Sequence, residues 1–108
     1  KPFKEAEGYA ADLQAAYDYY RAYSLQTAER FLSAYEEATE LLKRRPRICR
    51  PRQNEWRQMI IHEYPIYSIF YKELSVCWLL AGIIPTIRDP DLIQARLLLR
   101  EVSEAKKI

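Results

Sequence analysis

The chemistry open to this sequence is concentrated in its arginines. Lys43 to Arg52 reads KRRPRICRPR, six basic residues in ten with two prolines and no acid. Residues 1–42 carry four bases against eight acids, and the residues after 57 balance. Residues 43–57 carry seven bases against one acid, so the chain's net +2 conceals a local +6. A field that concentrated attracts phosphates or an acidic partner. Arg47, Arg50 and Arg52 lie within the stretch, Arg57 follows it, and Arg88 stands alone farther along. These five are the candidate binding residues. Lys43 to Arg45 have an equally good reading as the basic last turn of a helix, where they complement its negative end.

Few residues suit a bond-breaking step. His62 is the only histidine, and its type suits a general base. Arg88 suits stabilisation of an oxyanion. Both are weak catalytic candidates, because no Ser-His-Asp set, glycine-rich phosphate loop or catalytic carboxylate pair accompanies them. Tyr67 and Tyr71 alternate on one strand face and read as core or groove lining. Glu36, Glu37 and Glu40 read as a solvated helix face. Cys49 and Cys77 have no Cys or His at metal-ligand spacing and read as two reduced thiols. No metal and no cofactor is expected.

The elements that must position these residues follow from periodicity. Glu7 to Tyr23 places Leu13, Ala16, Tyr17 and Tyr20 on one helix face. Ser24 suits an N-cap, and a second helix from Leu25 to about Arg44 buries Ala28, Phe31, Leu32, Tyr35, Ala38, Leu41 and Leu42. The short break between them implies an antiparallel helical hairpin. Pro46 ends the second helix, since it disfavours helical geometry at Arg45. Trp56 to Glu63 and Ile66 to Lys72, parted by Pro65, then read as strands. Val76 to Ile84 is almost wholly apolar, as expected for a strand covered on both faces. Asp89-Pro90-Asp91 opens a third helix with Asp89 as N-cap, and Leu92, Ala95, Leu99 and Val102 are its expected inner stripe.

Residues 1–5 can add a short first strand, giving β-α-α-β-β-β-α. That order is an α+β fold: an N-terminal strand, an antiparallel helical hairpin, a three-stranded antiparallel meander and a C-terminal helix, with the helices packed on one antiparallel sheet. The 108 residues, 49% apolar and 30% charged, suit one globular domain spanning 1–108. The apolar run from Val76 to Pro85 is too short to span a bilayer, and no charged-then-apolar leader opens the chain. A cytoplasmic location without membrane contact is expected.

Four segments, in order, resemble the RelE/ParE superfamily of toxins from bacterial type II toxin–antitoxin pairs, the plasmid stabilisation proteins. They are DYY at Asp18 to Tyr20, AERFLSAYEEATELLKRRP from Ala28 to Pro46, WRQMIIHEYPIYSIFY from Trp56 to Tyr71, and IRDP from Ile87 to Pro90. The resemblance implies the fold already read from periodicity and a toxin neutralised by a cognate antitoxin. It also divides the targets: RelE-like members cleave messenger RNA on the ribosome, and ParE-like members poison DNA gyrase.

Metal-free RNA cleavage needs a base for the 2′-hydroxyl, cations at the phosphorus and an acid for the leaving oxygen. RelE-like nucleases carry two lysines where this chain aligns Met59 and Ile61. Their catalytic arginine aligns with Ser68, their C-terminal tyrosine with Gln94, and a frequent histidine with Pro85. Arg88 alone is retained. The chain thus resembles ParE-like more than RelE-like members and is expected to be a binding toxin with a topoisomerase-type target, DNA gyrase, rather than an enzyme. Two alternatives stay open: a ribosome-dependent mRNA endoribonuclease, and a degenerate, non-toxic binding module. Direct nucleic-acid contact also stays open, although no recognition helix accompanies the arginines.

Overall fold

The computed structural model describes residues 1–107. In chain order it contains β1 (Phe3–Glu5), α1 (Tyr9–Arg21), α2 (Leu25–Arg44), a single 3-10 turn (Gln53–Glu55), β2 (Arg57–Ile60), β3 (Tyr67–Glu73), β4 (Trp78–Pro85) and α3 (Pro90–Ala105). The α+β class and the element order are those expected. The sheet order is β1-β4-β3-β2. Strands β2, β3 and β4 form the antiparallel meander, but β1 runs parallel to β4, so the sheet is mixed rather than antiparallel. The reason is topological: the helical hairpin, β2 and β3 intervene before β4 lies beside the N-terminal strand, so its direction cannot be read from a tight turn.

Local rules account for the element boundaries. Ser24 Oγ accepts the Thr27 amide at 3.0 Å and starts α2. The helix stops at Arg44, and Arg45, before Pro46, is non-helical at φ −135°. Asp89 Oδ1 accepts the Asp91 amide at 2.8 Å, with Pro90 opening α3. Strand β2 is shorter than the expected Trp56 to Glu63. Asn54 and Glu55 before it and Glu63 after it all adopt positive φ, which turns the chain out of the sheet at both ends.

The sheet is covered on both faces. The α1–α2 hairpin buries Ala16, Tyr20, Phe31 and Leu42 against Met59, Ile69, Tyr71 and Leu80. Helix α3 covers the other face, packing Ile93 and Leu97 on Phe70, Leu79 and Ile84. The inner stripe of α3 is therefore not Leu92, Ala95, Leu99 and Val102, all of which are exposed. It is Ile93, Leu97, Arg100 and Glu104, centred roughly 150° around the helix. Two charged residues on the inward face hide this stripe from an apolar pattern.

The first of them, Arg100, reaches the free edge of β4. Strand β1 reaches only as far as Leu80, where Ala6 donates to its carbonyl. Beyond it, a register shift opposite Phe70 and Tyr71 leaves Ala81 outside the pairing. Side chains take over from the missing strand. Asp12 of α1, 6% exposed, accepts the Ile83 amide at 3.1 Å, and Arg100 donates to the Ala81 carbonyl at 2.8 Å. Arg100 and Asp12 pair through contacts of 2.8 and 3.1 Å, and Arg96 adds a third at 2.9 Å. Both glycines of the chain make room for this group. A Cβ on Gly82 would stand 2.9 Å from Asp12 Oδ2, and one on Gly8, at φ +93°, would stand 3.0 Å from Arg100 Cζ.

Removing the Asp12 carboxylate leaves Arg100 and the Ile83 amide without their partner. Asp12→Ala is expected to cost about 3–5 kcal/mol, the range for breaking a buried pair, measured by urea unfolding. A loss under about 1 kcal/mol would mean that solvent already satisfies Arg100.

Glu104 closes the other end of α3. It accepts the Glu7 amide at 3.1 Å and faces Lys107 at 3.0 Å and Lys4 at 3.3 Å. The Glu7 amide, then Lys107 and Lys4, lower its pKa from the ordinary 4.5 to about 2, against an opposing effect of burial. Because the folded value is depressed, this stabilisation is complete above the unfolded pKa and is lost as pH falls from about 4.5 through about 2. Glu104→Gln should lower the thermal midpoint at pH 7 and flatten its decline across that acid window. An unchanged acid profile would remove Glu104 from the account.

Candidate target-binding site

The structure divides four of the five candidate arginines into two groups on opposite faces of the sheet. Arg47 and Arg57 lie over Trp78, their guanidinium carbons 5.4 and 5.5 Å from its ring centroid. Arg47 also pairs with Glu73 at 2.7 Å, and Lys1 reaches the same carboxylate at 2.6 Å. Arg57 donates to the Cys49 carbonyl at 2.6 Å, and Tyr71 donates to the Pro46 carbonyl at 2.8 Å. These contacts hold the irregular segment after α2 onto the end of the sheet. Cys49 and Cys77 are free thiols.

Arg52 and Arg88 come together elsewhere. They line a cleft of about 260 Å³ between the 3-10 turn, the β2–β3 surface and the start of α3. Phe70, Trp56 and Ile93 form apolar parts of its wall. Its polar parts are tied to one another. Arg52 donates to Gln58 at 3.4 Å, Gln58 donates to the buried Ser68 hydroxyl at 3.0 Å, and Asn54 donates to Gln94 at 3.1 Å. Arg88 is exposed and is in no ion pair among the described residues. Lys72 takes Glu101 at 3.0 Å, beneath the Trp56 ring. Arg50 is exposed and has no side-chain hydrogen bond among the described residues.

This cleft is also where the nuclease positions converge. Arg88 and Gln94 border it and Ser68 is buried behind Gln58, but Met59 and Ile61 do not line it. Both are buried towards the helical hairpin, and the β2 residues on the cleft side are Gln58 and Ile60. A one-residue slip on a strand reverses every side chain, so alignment alone could not place them. The corrected positions are again uncharged. His62 lies elsewhere, 91% exposed in the β2–β3 loop beside Glu63 and facing α2. It shares no surface with Arg88, which leaves the cleft without a general base.

Tyr67 and Tyr71 are buried on the hairpin side. Burial pushes the Tyr67 hydroxyl above its usual range, opposed by the charge of Arg88. Burial likewise raises Tyr20 to about 12, within a cluster of Phe31, Tyr64 and Tyr67. Glu36, Glu37 and Glu40 are exposed on α2. Among the described residues no group of His, Cys, Asp or Glu is arranged to hold a metal ion, and no helix is long and apolar enough to cross a membrane. The arrangement can grip an anionic or hydrogen-bonding group between two guanidiniums over an aromatic wall. Nothing in it can take a proton near neutral pH.

Sequence reasoning missed the pairing of Arg52 with Arg88, and also Trp56 and Gln58. The only available signal was strand alternation from Arg57, which puts Gln58 opposite the hairpin. The anchored Arg57 and the unbonded Arg50 should separate in stability. Arg57→Ala is expected to cost about 1–3 kcal/mol through the lost charged hydrogen bond and ring contact. Arg50→Ala should leave the thermal midpoint unchanged. Equal effects of the two substitutions would contradict this division.

Comparison with known proteins places this geometry. Residues 6–81 match the family described as ParE toxin of type II toxin-antitoxin system, parDE. The matched span runs from the residue after β1 into β4, so Arg88 and α3 lie beyond it. No curated protein matches the chain.

Proposed function

The chain belongs to the ParE toxin family of type II toxin–antitoxin systems, and on that premise we propose that it inhibits growth by binding a topoisomerase-type target, DNA gyrase. Membership makes it the toxin of a pair with a cognate antitoxin as partner. The observation that carries the finer reading is the cleft of Arg52 and Arg88. Gln58, Thr86 and Gln94 line it beside the two arginines, with Ser68 buried behind Gln58, and none of these groups can deprotonate a 2′-hydroxyl. A metal-free ribonuclease without a base loses orders of magnitude in rate. A binding toxin needs only shape and charge, and the cleft has both.

Within this reading Arg52 and Arg88 contact the target, and Arg50 adds long-range attraction. Arg47 and Arg57 present their remaining exposed edges but serve first to hold the basic segment in place. The antitoxin neutralises the toxin by covering part of this positive surface, in the cytoplasm where the target resides.

Expression in bacteria without antitoxin, following DNA-damage signalling and messenger RNA cleavage together, tests the proposal. Damage signalling is expected, reduced at least tenfold by Arg52→Ala with Arg88→Ala and retained by His62→Ala. Codon-linked cleavage in translating ribosomes would replace this reading with the endoribonuclease. Absence of any growth effect would replace it with the non-toxic binding module.

A further inference from the structure

Helix α3 has a second apolar face that none of the described residues covers. Leu92 is 62% and Leu99 71% exposed, and Leu98 and Val102 are exposed beside them. Leu92, Ala95, Leu99 and Val102 recur at spacings of three, four and three, the seam of a coiled coil, with Leu98 widening it. The opposite side of the helix is committed to the sheet through Ile93 and Leu97. The exposed side chains amount to on the order of 400 Å², within the range of patches that mark interaction sites.

We propose that this seam pairs with the same seam of a second copy of the chain, antiparallel and about a two-fold axis. The seam is self-complementary in that arrangement. Facing a and d positions set Leu92 against Val102 of the second copy and Ala95 against Leu99 of the second copy, small opposite large. Charge selects the same direction. Asp89 and Asp91 stand at the start of α3, where they outnumber the neighbouring Arg88, and Lys106 stands at its end; neither aspartate nor Lys106 is in an ion pair among the described residues. Antiparallel pairing brings the acidic end beside the basic end and opposes the helix dipoles, whereas parallel pairing stacks like charges. Arg96, on the rim of the seam, is turned towards Asp12 and does not repel its counterpart. The seam from Leu92 to Val102 is only about 15 Å long, so the pairing is reversible. The arginine cleft borders α3 at Ile93 and Gln94, away from the seam, and stays open in the dimer.

Sedimentation equilibrium of the isolated chain across micromolar concentrations tests the pairing. A monomer–dimer equilibrium is expected. Leu99→Glu should raise the dissociation constant at least about 100-fold by placing a charge in the seam, with little change in the thermal midpoint because Leu99 is 71% exposed. Lys106→Glu should weaken pairing roughly fivefold, and adding Asp91→Lys to it should restore most of the loss. A monomer at every concentration would overturn the proposal, as would a dimer that Leu99→Glu leaves intact. Leu99→Glu abolishing capture of the antitoxin, without any dimer in its absence, would likewise assign the seam to the antitoxin instead.

Discussion

The architecture turns on a backbone that runs out of strand partners. Strand β4 continues past the end of β1, and its outward amide and carbonyl at Ile83 and Ala81 must be satisfied where water is excluded. Asp12 from one helix layer and Arg100 from the other meet there. The carboxylate and guanidinium satisfy the strand edge and each other at once. That double role makes the pair more than an ion pair, since hydrophobic residues in their place would leave the edge unbonded. It also ties α1 to α3 around the rim of the sheet, although the two helices lie on opposite faces. Both glycines are accounted for by the space that the pair needs.

The same constraint explains the unusual division of α3. Directing Arg100 and Glu104 inwards rotates the helix so that its most regular apolar stripe points to solvent. A helix chosen only for hydrophobic packing would turn the other way. The inward polar groups are each satisfied, Glu104 by the Glu7 amide and two lysines, so the arrangement is stable without the outer stripe. That stripe is then available for contacts beyond the chain.

Much of the positive charge is similarly committed. Trp78 is flanked by Arg47 and Arg57, while Phe3 stacks on it at 6.2 Å. This anchors the basic segment to the sheet end and reduces the charge left for a partner. Arg52 and Arg88 both line the cleft, Arg52 bonded to Gln58, and neither has a countercharge among the described residues. A cleft of that kind gives orientation through its amides and aromatic wall, and attraction through its two cations. It supplies no proton acceptor.

The sequence by itself determined whatever depends on neighbours along the chain. Ser24 and Asp89 begin helices because short polar side chains accept free amides, Pro46 ends one because it bars helical geometry before it, and the apolar run after Val76 becomes a doubly covered strand, although it starts only at Trp78 and leaves Val76 exposed. The resemblance read from four ordered segments likewise identified the family. Only the tertiary structure decided the parallel direction of β1, the inward face of α3, the side of the sheet taken by Gln58 and Met59, and the meeting of Arg52 with Arg88. Each is a choice between arrangements with the same local periodicity. Strand alternation is unchanged by exchanging faces, and a helical stripe rotated by one residue keeps its spacing. What separates these alternatives is the satisfaction of groups distant in sequence, above all the β4 edge by Asp12 and Arg100, and that exists only once the layers are packed.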